Sequence, residues 1–224
     1  MHVSDGVLSV PVTLAGWAGS ACGLALSLRG VKEEKIPQAA VVTACFFVGS
    51  TIHVPLGGTS IHLVLSGLCG VVAGPLSFLA VFIGLLFQFL LFSHGGLTSL
   101  GFNACSMGGS ALAASAVFSL GARRYRKTGK PALLWITSFG VGAGAVLLAA
   151  GIVAAGLAAS GKTYNIEAPA WLGHAFLALA PLWFLAHVPL ALVEGFVTAA
   201  AVMFLARVEP RLVGLGPREK PRRR

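Results

Sequence analysis

The chain has 224 residues, of which 56% are hydrophobic and only 10% are charged, against about 25% charged residues in an ordinary soluble domain. Apolar runs of this extent exceed what a soluble core of this size can bury. The composition therefore excludes a soluble globular protein and indicates one whose solvent is lipid. The net charge of +9 does not indicate nucleic-acid binding, because the basic residues form no face with interleaved aromatic residues.

Seven apolar segments follow one another, and each is predicted to be a transmembrane helix. They cover residues 8–28, 36–52, 61–74, 76–93, 102–121, 132–159 and 172–206. The last is too long for one straight span and contains two prolines. We predict a re-entrant or interfacial piece at about 171–187, followed by a span at about 188–206. The fold class is therefore all-α, with a transmembrane domain over residues 1–208 and a basic cytoplasmic tail over 209–224.

The first segment is predicted to be a retained span and not a signal peptide. A signal peptide carries its positive charge before the apolar stretch, whereas the first basic side chain here is Arg29, after it. We also expect Met1 to be kept in the mature chain, because His2 is too large a second residue for the usual removal of methionine. The amino group of Met1 would then be free at the start of the protein.

The loop charges predict the orientation of the seven spans. All basic residues except Lys162 lie in the loop after the first segment, in the loop after the fifth, or in the tail. With seven spans and the amino terminus outside, all three regions fall in the cytoplasm, as the positive-inside rule requires. The same topology puts five of the six histidines at the outer mouth of the bundle (His2, His53, His62, His94 and His174) and His187 deeper in the seventh segment. Histidine confined to the entry side favours a metal receptor, although histidine also settles at membrane interfaces without binding anything.

Met1-His2 is the most specific local feature. The α-amine, the backbone nitrogen of His2 and Nδ1 of its ring can close a five-membered and a six-membered chelate ring around one metal. A fourth nitrogen would complete a square plane, the geometry that Ni(II) and Cu(II) favour. Many chains begin with Met-His and bind no metal, so this dipeptide alone does not decide the matter.

His62 is a candidate fourth donor, at the end of a Gly-rich loop. The alternative is that Thr59 or Ser60 caps a helix and His62 only packs at the interface. In the metal-binding interpretation, Ser60 would orient the ring. Asp5, His53 and Asn103 are further candidates for the surroundings of the ligands or for the outer cavity.

With these residues identified, the chain resembles the CbiM/NikM-type substrate-binding components of energy-coupling factor (ECF) transporters for cobalt and nickel. Four stretches carry the resemblance: residues 1–9 (MHVSDGVLS), 55–74 (PLGGTSIHLVLSGLCGVVAG), 87–107 (FQFLLFSHGGLTSLGFNACSM) and 187–198 (HVPLALVEGFVT). His94 and Cys105-Ser106 depart from the family pattern.

The resemblance implies an extra amino-terminal helix added to a six-helix core, with the amino terminus inserted into the bundle. It implies a Ni²⁺ or Co²⁺ substrate held by the Met1 amine, the amide and ring of His2, and His62, and no other cofactor. It also implies partner chains: a transmembrane coupling subunit, two cytoplasmic ATPase subunits and a small accessory membrane subunit. The chain itself is predicted to be no enzyme and to have no ATP-binding loop of the GxxxxGK[ST] type.

Glu194 is a carboxylate at membrane depth, and such a residue is a functional candidate by default. His187 lies seven positions earlier on the same helical face, so the two are predicted to form a structural polar pair or, less favourably, a proton relay. A stand-alone metal permease or channel using this pair is the alternative function. An intramembrane metal enzyme is a further alternative, which the absence of an HExxH sequence disfavours.

Small residues form two rows at helical spacing, Ala15-Gly19-Gly23 and Gly140-Gly144. Either row is predicted to be a close contact within the bundle or a docking face for a partner. The four cysteines are predicted to be packing residues without a disulfide, because no two of them form a CxxC motif.

Overall fold

The structure is a computed structural model that describes residues 2–29, 31–51, 53–56, 59–167 and 170–216. Side chains are described for these ranges except at 53–56, 59–61, 162–167 and 170–183. In chain order the elements are α1 (Val10–Leu28), α2 (Ile36–Thr51), β1 (His53–Leu56), β2 (Thr59–His62), α3 (Ser66–Ala73), α4 (Ser77–Phe92), α5 (Leu100–Thr128), α6 (Pro131–Glu167) and α7 (Ala170–Val208). Short 3₁₀ turns lie at Glu33–Lys35, Gly74–Leu76 and Pro210–Val213.

Five helical stretches of the described chain are long and apolar enough to cross a membrane. They are Val10–Leu28, Ser66–Phe92, Leu100–Thr128, Pro131–Gly161 and Phe184–Val208. The protein is therefore a multi-pass membrane protein, as its composition predicts. The count of seven spans and the outward amino terminus stay predictions, since α2 has only 16 residues and α3 and α4 together make one apolar stretch.

Helix α5 packs against four other helices, α1, α3, α4 and α6, and α6 runs along α7. The row of small residues on α1 belongs to this packing. A Cβ on Gly19 would lie 2.6 Å from Sγ of Cys105, and one on Gly23 would collide with the ring of Phe78. This row is thus an internal contact. The second row is different, because Gly140 and Gly144 have no atom within 4 Å of an added Cβ.

Three local predictions need correction. The segment predicted as a helix from residue 61 begins instead with a two-stranded antiparallel hairpin, β1–β2, in which His53 is the backbone partner of His62. The helix starts only at Ser66, so neither Thr59 nor Ser60 caps it. A Gly-rich loop flanked by short β-prone stretches lets the backbone pair with itself before the helix begins. Finally, α7 is one continuous helix through Pro181 and Pro189, not a re-entrant piece followed by a span.

Candidate metal-capture site

The amino-terminal segment is held by the start of α5. The Val3 amide donates to Oδ1 of Asn103 at 2.9 Å, and Nδ2 of Asn103 donates back to the Val3 carbonyl at 2.9 Å. The hydroxyl of Ser99 donates to the same carbonyl at 2.7 Å. Val3 and Asn103 are both buried, so these bonds replace water on every polar group of the Val3 backbone. The segment is therefore docked into the bundle next to His2, as the resemblance implies.

Asp5 makes a second attachment one turn away. Its Oδ1 accepts hydrogen bonds from Oγ1 of Thr98 at 2.6 Å and from the Ser99 amide at 3.0 Å. Slight burial raises the pKa of Asp5, but these hydrogen bonds outweigh it and lower the pKa below its ordinary value. The carboxylate also faces the positive end of the α5 dipole. Asp5 therefore anchors the segment, and the described structure gives it no contact with either candidate histidine ring.

The His2 ring lies close to two other imidazoles. Its centroid is 5.0 Å from that of His62 and 5.9 Å from that of His94. Nε2 of His2 is 2.6 Å from Oε1 of Gln88 on α4. An amide oxygen only accepts, so Nε2 carries the proton and the ring lone pair is on Nδ1. Burial is the main cause that lowers the pKa of His2 well below its ordinary value, and the neighbouring His62 and His94 act in the same direction.

His62 ends strand β2 and is buried, with 5% of its surface exposed. Its Nδ1 is 3.0 Å from the carbonyl oxygen of Leu63. Because a carbonyl only accepts, Nδ1 carries the proton and the ring lone pair is on Nε2. The two imidazoles thus present opposite nitrogens, Nδ1 from His2 and Nε2 from His62, in neighbouring rings.

Glu194 holds the segment that follows His62. Its carboxylate is fully buried and accepts hydrogen bonds from the amides of Val64 and Leu65, the latter at 2.9 and 3.0 Å. These amides immediately precede α3, and Leu65 has a left-handed backbone with φ of 53°. The carboxylate satisfies donors that the start of a helix leaves without partners. It therefore ties the His62 segment to α7, and the predicted pairing of Glu194 with His187 stays a prediction.

The other predicted site residues are only partly placed. Met1 lies outside the described residues, and the side chains of His53, Ser60 and His174 do too. Among the described residues, no group of three or more His, Cys, Asp or Glu side chains is arranged to hold a metal ion. The four cysteines carry no disulfide.

Gln88 contacts His2, and the sequence did not predict this contact. An amide in an otherwise apolar helix is costly to bury without partners, and this was the only available signal of its role.

The prediction about the nucleotide-binding motif also needs correction, because residues 156–163 (GLAASGKT) match GxxxxGK[ST]. They lie inside α6, which is helical throughout. A phosphate-binding loop needs backbone amides that point freely into a turn between a strand and a helix. In a continuous helix those amides bond to carbonyls four residues earlier, so this match forms no such loop.

Comparison with known proteins decides the family. Residues 2–212 match the family described as the cobalt uptake substrate-specific transmembrane region, CbiM. The chain belongs to the CbiM family. A metal transport protein of Haemophilus influenzae is 34% identical over 95% of this chain and 97% of its own length. The cobalt transport protein CbiM of Sorangium cellulosum is 31% identical over 95% of this chain and 94% of its own length.

The fold of this CbiM-family chain also matches a solved structure. A transition metal transporter has a TM-score of 0.75 and 22% sequence identity, and the match covers 94% of each chain. The fused nickel transport protein NikMN of Rhodobacter capsulatus is 31% identical, and this chain spans 65% of its length. The chain is thus a membrane component of cobalt or nickel uptake, a transport role and not a catalytic one.

Acid is expected to loosen the docked amino-terminal segment of this CbiM-family chain in the absence of metal. Above pH 6.5, the ordinary pKa of histidine, His2 is neutral whether docked or not. Below it, the undocked ring takes up a proton that the docked ring, with its lowered pKa, does not. Docking should therefore weaken about tenfold for each pH unit below about 6.5 until the lowered pKa is reached.

Hydrogen exchange of the Val3 amide, compared at pH 7.5 and 5.5 and corrected for the intrinsic rate, measures this effect. A His2→Gln variant is the control, because its side chain takes up no proton, and its docking should weaken less between the two values. Asp5 titrates below this range. Equal protection of Val3 in the unmodified protein at both pH values would contradict the prediction.

Proposed function

We propose that this protein is the substrate-capture membrane subunit of an ECF-type importer for a transition-metal ion, Ni²⁺ in preference to Co²⁺. The metal would be held by the Met1 amine, the His2 amide nitrogen, Nδ1 of His2 and Nε2 of His62. The observation that supports this most directly is the pair of imidazoles 5.0 Å apart. The hydrogen bonds of these rings to Gln88 and Leu63 put their lone pairs on these two nitrogens.

The ring separation fits a shared metal. Bonds of about 2 Å from the metal to two adjacent imidazole nitrogens would put the ring centroids roughly 4.5 Å apart. The 5.0 Å found here leaves a shift of about half an ångström on binding. The hydrogen bonds of Val3 fix the backbone directly after His2. The His2 amide and the Met1 amine are the next two nitrogens toward the amino terminus, which is why the proposal includes the Met1 amine.

The choice of nickel rests on the donor set. Four nitrogens in one plane, including a deprotonated amide, favour Ni(II) over Co(II), and the affinity order of divalent metals has the same direction. Copper would bind more strongly still in that order. Selection against copper therefore depends on the copper available outside the cell, not on the donor set.

The proposal extends to topology and partners. Seven spans with the amino terminus outside would place the metal site at the outer mouth, and the basic loops and the tail over residues 209–224 in the cytoplasm. The membrane would be the cytoplasmic membrane. A coupling subunit and two ATPase subunits would supply the energy, with a small accessory membrane subunit as a further partner. A stand-alone permease using His187 and Glu194 is less favoured, because the Glu194 carboxylate is engaged by two backbone amides.

Replacing His62 by alanine is the direct test. The apparent binding free energy of a four-ligand metal site is about 10–16 kcal/mol, so one donor in four contributes roughly 3–4 kcal/mol. His62→Ala should thus weaken Ni²⁺ binding several hundred-fold in calorimetry on the purified protein. His174→Ala is the matched control, and it should largely keep the affinity. Equal losses in the two variants would count against the proposed ligand set.

A further inference from the structure

We propose that Gln88 is a positioning residue that keeps the His2 ring in the tautomer with hydrogen on Nε2, so that Nδ1 is always ready to bind metal. This inference rests on the proposed function, because it explains how one of the proposed metal donors, Nδ1 of His2, is kept free of hydrogen. It adds a residue that touches no metal.

A chain of hydrogen bonds fixes the direction of the Gln88 amide. Ser50, in the last turn of α2, donates its hydroxyl hydrogen to the carbonyl oxygens of Phe46, at 2.7 Å, and Phe47, at 3.0 Å. A hydroxyl has one hydrogen, so Oγ of Ser50 can only accept from another neighbour. That neighbour is Nε2 of Gln88.

The consequence reaches the His2 ring. With its NH₂ group committed to Ser50, Gln88 turns Oε1 toward His2, and Nε2 of His2 lies 2.6 Å from that oxygen. If Nε2 of His2 carried no hydrogen, it would face Oε1 of Gln88 as a second acceptor, and no hydrogen bond could form between them. The carbonyl oxygens of α2 therefore determine, through Ser50 and Gln88, which nitrogen of the His2 ring carries hydrogen.

Burial keeps this chain from rearranging. Gln88 is 0% exposed and Ser50 is 1% exposed, so neither has bulk water as a substitute partner. A flipped amide would turn Oε1 of Gln88 toward Ser50, and the Ser50 hydroxyl would then have to leave the carbonyl oxygens of Phe46 and Phe47 to donate to it. Losing buried hydrogen bonds in this way is costly.

A simple helix-joining role for Gln88 would need only the bond between α4 and α2. The bond from His2 to the opposite end of the amide is the additional feature, and it is made by the residue that supplies two of the four proposed donors. Orienting partners of this kind change metal affinity by about 10- to 100-fold when they are removed.

Nitrogen-15 NMR of imidazole-labelled, metal-free protein tests the inference, because the two ring nitrogens report directly which one carries hydrogen. The unmodified protein should show His2 as a single tautomer protonated at Nε2. Gln88→Leu should give a mixture of tautomers and weaken Ni²⁺ binding by about 10- to 100-fold. Gln88→Glu, which keeps an acceptor toward His2, should restore both the tautomer and the affinity.

Two more variants keep the test decisive. Ser50→Ala leaves Gln88 in place but removes the group that orients it, so it should also give mixed tautomers. Gln38→Leu is the matched control, because Nε2 of Gln38 bonds to the carbonyl oxygens of Val72 and Leu212 and not to the site. It should leave the His2 spectrum unchanged.

A hydrogen on Nδ1 of His2 in the unmodified protein would overturn the inference, and so would an unchanged tautomer in both Gln88→Leu and Ser50→Ala. Both readings come from metal-free protein. A failure of Ni²⁺ to bind at all would instead count against the proposed function, and the two failures are therefore distinguishable.

Discussion

Adding two residues in front of Met1 is expected to abolish tight Ni²⁺ binding while the protein still folds. The extension converts the proposed amine donor into an amide. Loss of one donor in four costs roughly 3–4 kcal/mol, which is a several hundred-fold loss of affinity. Calorimetry with NiCl₂ on the purified protein measures it, and acetylation of the amine should have the same effect.

The same two residues added after Arg224 are the control for the extension. No predicted metal donor lies in the tail over residues 209–224, so the affinity for Ni²⁺ should not change. Thermal unfolding of both variants should match that of the unmodified protein, because the added residues precede Val3 and Asp5, whose hydrogen bonds hold the segment. An amino-terminally extended protein that binds Ni²⁺ with undiminished affinity would remove the Met1 amine from the ligand set.

Replacing Glu194 by leucine is expected to destabilise the protein and to weaken metal binding at a distance. The change leaves the buried amides of Val64 and Leu65 without an acceptor, and each such group costs about 1–3 kcal/mol. The expected loss in the free energy of unfolding is therefore about 2–6 kcal/mol. The His62 ring lies two residues before Val64, so Ni²⁺ affinity should fall as well.

Unfolding in detergent, followed by circular dichroism, measures the stability of this variant. Thr198→Val is a matched control one helical turn further along α7. Thr198 is equally buried, but its hydroxyl has no hydrogen-bond partner in the described structure, so its loss should change stability little. If Glu194→Leu were as stable as Thr198→Val, the carboxylate would not be the anchor of the His62 segment.

Local patterns in the sequence predicted the helices, and they drew attention to the amino terminus. Long apolar runs require helices in lipid, and α1, α5 and α6 lie where those runs predict. Met1-His2 could be singled out because its chelating potential is a property of two adjacent residues. The close packing of Gly19 and Gly23 also follows a spacing that is visible in a single helix.

The partners of Glu194 and Gln88 could not be predicted, because they are set by contacts between distant parts of the chain. The carboxylate of Glu194 bonds to amides 129 and 130 positions away, and helical spacing along α7 gives no information about them. Backbone amides have no sequence signature. The hairpin was missed for a related reason, since short strands in a Gly-rich loop gain their stability from pairing and not from composition.

The clamp on Val3 has a consequence for how the protein is made. Asn103 and Ser99, which hold the backbone of Val3, leave the ribosome about a hundred residues after it does. The backbone of Val3 therefore lacks these partners until the fifth helix has been made. If the proposed ligand set is right, its preorganised form would therefore be available only to a chain whose fifth helix is already in place.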